Sequence, residues 1–272
     1  MIAMTQARPA WGRAPLLMGV IVLAWLLAIT AELTGEVQWV HHHRLLVDGM
    51  AVWASLALFV VAWQVHIAAM MLPTTLPMVG LYRQVAAGQP RSRLARASFL
   101  VGYLVVWTAF GLAALVVMAL LEGLGQHWHW LHQRPEWLAG GTLVLAGAFQ
   151  FSALKEACLD KCRAPRAFLL SHYRRGVAGG FALGLRHGAF CLGCCWALML
   201  VMVIVGIANL AWMAPLAALM LYEKVGRHGA RLAGPVGGLL ILLGLLVMVD
   251  PAWLPSLVSD HGLHASHGHG SH

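Results

Sequence analysis

Charge is scarce in this chain. Asp, Glu, Lys and Arg together make up 10% of its 272 residues, where soluble domains carry about 25%. With 60% hydrophobic residues, so much apolar surface cannot be hidden from water, which excludes a soluble or surface-bound protein. Several functional signatures are missing too. There is no nucleotide-binding P-loop, no soluble motor unit, no inverted repeat of the kind secondary transporters carry, and no βαβ pattern to house a thioredoxin-like dithiol. Eighteen basic residues exceed ten acidic ones, a formal net charge of +8. They are scattered over several loops, which argues against a nucleic-acid footprint.

Long uncharged runs are present instead. A helix needs about 20 apolar residues to cross the hydrocarbon core, and seven candidate spans can be read at about 15–31, 51–72, 97–121, 138–154, 188–208, 210–222 and 232–249. The first is read as a span and not as a signal peptide, because no small-x-small cleavage site follows it. The sixth is short enough to be tilted or re-entrant. The expected fold is therefore all-α, a polytopic transmembrane helical bundle of about seven spans, or six if 210–222 does not cross. Residues 1–250 form one transmembrane domain, and 251–272 a His-rich tail expected to be disordered.

Basic loops stay in the cytoplasm. Seven spans with a cytoplasmic N-terminus put 16 of the 18 Lys and Arg residues inside, with only Arg44 and Arg134 outside. The outside takes 7 of the 10 acids and 11 of the 15 histidines, among them His41, His42, His43, His127, His129, His132 and the tail His261 to His272. This orientation fits a bacterial inner membrane. The His-rich outer face suits weak capture of transition metals, although His and Trp at loop edges also serve as interface anchors.

All five cysteines fall in the cytoplasmic half. Cys158 and Cys162 are spaced i, i+4, so both thiols face one way. A reducing cytosol keeps them free, and the neighbouring Lys155, Lys161 and Arg163 favour the metal-binding thiolate. On a helix, at about 100° per residue, His187, Cys191 and Cys194 fall within about 60° of one another, with Cys195 and Met199 further round. Cys195 departs most from this stripe, and packing alone would explain it. Gly180, Gly184 and Gly188 follow the small-xxx-small spacing that lets membrane helices approach closely. In the second span His66 and Met70 lie one turn apart, next to Met71. The candidate metal ligands are thus Cys158, Cys162, His187, Cys191, Cys194, Cys195, His66, Met70 and Met71. Thiolate and thioether together select Cu(I), while Cys with His also suits zinc. Glu223 and Lys224, at the inner end of the sixth segment, are read as a structural ion pair.

The run Trp63 to Pro73 with its Ala69-Met70-Met71-x-Pro73 core, the run Leu154-Lys155-x-x-Cys158-Leu159-x-x-Cys162-Arg163, and the run Gly184-x-Arg186-His187-Gly188-x-x-Cys191-x-Gly193-Cys194-Cys195-Trp196 resemble a prokaryotic family of predicted metal-binding integral membrane proteins, some labelled copper chaperones. Gly206-x-x-Asn209 and Glu223-Lys224 match its pattern as well, so the resemblance spans about 63–234. It departs at His66, where that family usually carries Met, which keeps a ligand but hardens it. The resemblance implies metal handling without naming a reaction. The expected protein is not an enzyme. It handles a soft metal, copper before zinc, in the lipid bilayer, with a metal-donor or acceptor protein as partner. Two other classes remain open: a membrane thiol-redox protein using Cys191 and Cys194, and a haem-binding assembly factor with His66 and His187 as axial ligands.

Overall fold

A computed structural model of the protein describes residues 15–34, 51–127, 134–205 and 209–250. His41 to His43, His129, His132, Gly206 and the tail 251–272, as well as the side chain of His127, lie outside the described set. Among the described residues every regular element is a helix. In chain order they are α1 (Pro15–Thr34), α2 (Val52–Met70), α3 (Leu72–Ala86), α4 (Ser92–His127), α5 (Pro135–Phe149), α6 (Ala153–Arg163), α7 (Pro165–His172), α8 (Gly176–Val205), α9 (Leu210–Val225) and α10 (Gly229–Val249).

Five of these, α1, α2, α4, α8 and α10, are long and apolar enough to cross a membrane. Helices α5 and α6 qualify together as a sixth, but the pair is bent by 64°. The bend is a defined helix restart, because Ser152 caps α6 by accepting a hydrogen bond from the Lys155 amide at 3.1 Å. Helix α9 has 16 residues, about 24 Å of rise, and is shorter than the hydrocarbon core. Large apolar side chains such as Leu23, Val116 and Leu242 are exposed on the outer faces of α1, α4 and α10, as lipid-facing helix surfaces are.

The fifth expected span starts near 188, yet α8 begins at Gly176 and runs for 30 residues. Its glycine-rich approach is helix, not loop. The reason is close packing: a methyl group at Gly184 would collide with the Phe99 backbone and one at Gly180 with the Ala95 carbonyl, so α8 lies directly against α4. A glycine inside a helix costs about 1 kcal/mol against alanine. The backbone approach it permits offsets that cost. Gly140 and Gly244 do the same between α5 and α10, where a Cβ on either would stand 2.6 Å from the other's carbonyl oxygen.

Between α2 and α3 the helix is broken for a reason legible in Pro73. Proline has no N–H to give the carbonyl four residues back, that of Ala69. The Trp25 indole from α1 donates to this carbonyl at 3.1 Å instead. Next along, the Met71 carbonyl accepts the hydroxyls of Thr74 and Thr75 at 2.8 and 3.1 Å. Met71 thus sits at a fixed corner, fully buried, facing α8 and α9.

Candidate metal centre

Cys191, Cys194 and Cys195 lie about halfway along α8, each with 1% of its surface exposed. Cys191 Sγ is 3.2 Å from the Tyr103 hydroxyl of α4. The Cys194 and Cys195 thiols both donate back to the Cys191 carbonyl, at 3.1 and 2.9 Å, so three sulfurs are gathered on one turn. Cys195, the residue that departs from the expected stripe, is the one whose Sγ reaches Met71 Sδ at 3.9 Å. All five cysteines are free thiols.

Helix α6 brings the other two. Cys162 lies beside Cys194, and Cys158 is buried against Gly193, where a Cβ would come within 2.6 Å of its sulfur. Glycine at 193 therefore makes room for Cys158. The two cysteine groups, far apart in sequence, belong to one neighbourhood.

The remaining candidates have other surroundings. His187 is enclosed by aromatic rings, stacked on Tyr103 at 5.8 Å, tilted against Phe99 at 6.0 Å and edge-on to Phe168 at 5.7 Å. His66 is buried and stacks on Trp63 at 5.6 Å. Met70 is buried in the apolar core, whereas Met71, one position and about 100° round the helix, is the methionine that meets Cys195.

The expected ion pair between Glu223 and Lys224 is not formed. Glu223 Oε2 instead accepts from Lys155 Nζ of α6 at 2.7 Å, with both side chains 2% exposed. Neighbours i and i+1 on a helix do not face each other, so the two side chains go to different partners. Lys224 Nζ donates to Cys191 Sγ at 3.0 Å, and lies 3.4 Å from Thr74 Oγ1, 3.7 Å from Cys195 Sγ and 3.8 Å from Met71 Sδ. Arg163 locks the same region by donating to the carbonyls of Glu223 and Gly226, the latter at 2.9 Å, at the end of α9.

Lys224 and Tyr103 are thus parts of the centre that ligand spacing does not reveal. The available signal was their cost, since an ammonium or hydroxyl inside a membrane bundle needs a partner. Among the described residues no three side chains of His, Cys, Asp and Glu already stand around one point as metal ligands. With the thioether included, three sulfurs, of Met71, Cys191 and Cys195, surround a cation: the Lys224 ammonium. Their chemistry is soft, buried and suited to a thiophilic ion.

A family model described as PpoB2, copper chaperone, matches residues 60–247, more than half of the chain. No curated protein and no solved structure matches it.

Proposed function

Since the chain belongs to the PpoB2 copper chaperone family, we propose that it holds Cu(I) as cargo inside the membrane, with Met71, Cys191 and Cys195 as the primary donors. Cys158, Cys162 and Cys194 form an adjoining thiol group on the cytoplasmic side, through which the ion is received or passed on. The observation that carries this is the convergence of Met71 from the α2–α3 corner and Cys191 and Cys195 from α8 upon one cation, at 3.0 to 3.8 Å. Thiolate with thioether is a soft donor set that suits Cu(I), and thiolates also hold zinc.

Depth in the bilayer fits. Arg186 is exposed on α8, and Cys191 is five residues further on, about 7.5 Å at 1.5 Å per residue. The centre then lies just below the cytoplasmic border of a bacterial inner membrane. Seven crossings, with a cytoplasmic N-terminus, are reached if the bent α5–α6 pair and the short α9 each cross, α9 with local thinning of the bilayer. His187 and His66 support the aromatic core and are not ligands in this arrangement. A donor or acceptor protein meets the cytoplasmic loops.

The test is metal content. Detergent-purified protein is loaded with Cu(I), washed, and assayed by elemental analysis beside Cys191→Ser/Cys195→Ser. Wild type is expected to keep near-stoichiometric copper and the variant to lose most of it. Equal copper in both would defeat the proposal.

A further inference from the structure

Thiolate ligands alone do not settle the choice between Cu(I) and zinc, because cysteine sites hold zinc as well. A second discriminator is built in at Lys224. The residue is 6% exposed, and an ammonium withdrawn from water is costly unless opposite charge lies beside it. The carboxylate next to it in sequence is already engaged: Glu223 holds Lys155 at 2.7 Å, and that pair sums to zero. Lys224 is left facing sulfur. Its Nζ is 3.0 Å from Cys191, 3.7 Å from Cys195 and 3.8 Å from Met71.

We propose that Lys224 is a specificity-determining residue whose positive charge, fixed beside Met71, Cys191 and Cys195, makes the centre take a monovalent ion in preference to a divalent one. This rests on the reading that these sulfurs bind the metal. Two thiolates and one Cu(I) sum to −1, which the ammonium cancels; the thiol protons leave to solvent. The same two thiolates with Zn(II) sum to zero, and the ammonium then leaves the buried centre at +1. An uncompensated charge is costly in a medium of low dielectric constant. The thioether of Met71 is neutral and changes neither sum. A thiolate sulfur has lone pairs enough to bind a metal and still accept an N–H, so Lys224 remains a neighbour of the loaded centre and is not itself a ligand. Softness thus favours a thiophilic ion, and charge favours the monovalent one among them.

The experiment measures Cu(I) and Zn(II) affinities separately, by chelator competition under reducing conditions, in detergent-purified wild type, Lys224→Met and Lys224→Gln. Removing the positive charge is expected to lower the ratio of Cu(I) to Zn(II) affinity by at least about tenfold, a conservative figure for one charge at this range. Lys224→Arg keeps the charge and is expected to keep the ratio. Lys224→Gln retains a polar partner for Thr74 and Cys191, so it decides the matter if Lys224→Met does not purify as a single species. An unchanged ratio in a folded charge-removing variant would overturn the proposal while leaving the sulfur centre intact. Equal copper in wild type and Cys191→Ser/Cys195→Ser would instead remove the reading on which it rests.

Discussion

Replacing Glu223 by Met tests whether its bond to Lys155 ties α9 to α6. The two atoms are 2.7 Å apart and both side chains are 2% exposed, so solvent cannot take over when one partner is lost. Removing the carboxylate strands an ammonium in the bundle, at a cost of about 3–5 kcal/mol. Replacing both, as Lys155→Met/Glu223→Met, removes the stranded charge and fills the volume, and the cost should fall to near zero. The double-mutant cycle should therefore return a coupling of at least about 3 kcal/mol, outside the few tenths expected of independent sites. Arg163 grips the backbone carbonyl of Glu223, not its carboxylate, so that contact survives every arm of the cycle. The assay is reversible denaturant titration in micelles followed by helical circular dichroism. A Glu223→Met cost below about 1 kcal/mol, or a double variant as unstable as the two singles summed, would refute a tight buried pair.

Other substitutions probe the rest of the framework. Trp25→Phe should cost about 1–3 kcal/mol, because the Ala69 carbonyl that Pro73 cannot serve loses its donor; thermal unfolding monitors it. Gly184→Ala should destabilise by about 1–3 kcal/mol through collision with the Phe99 backbone, while Gly19→Ala, with nothing within 4 Å of the new methyl, should stabilise by up to about 1 kcal/mol; the opposite signs are read in one melting series. Met71→Leu should lose bound copper with a stability change under about 1.5 kcal/mol, and Met70→Leu should keep its copper; equal copper in the two would remove Met71 from the centre.

Much of this centre can be read from spacing. Cys158 and Cys162 at i, i+4, and Cys191 with Cys194 at i, i+3, announce two sulfur faces, and both belong to one neighbourhood. Periodicity is less informative where a helix breaks. Met70 and Met71 are equal in composition, and only the corner at Pro73 turns Met71 toward Cys195. The same limit applies to His187, which lies on the angular stripe of the cysteines but four residues earlier, about 6 Å along the axis, where Phe99, Tyr103 and Phe168 enclose it.

Composition and patterning alone determined that the chain is a bundle of apolar helices with its cysteines at i, i+3 and i, i+4 spacing, because apolar run length and ligand spacing are local quantities. Tertiary structure alone decided which charge meets which. Glu223 and Lys224 are neighbours in sequence, yet the 100° turn between them sends one to Lys155 and the other to the sulfurs of Met71, Cys191 and Cys195. Partner choice inside a bundle depends on what the adjacent helices present at the same depth, and no local pattern encodes it.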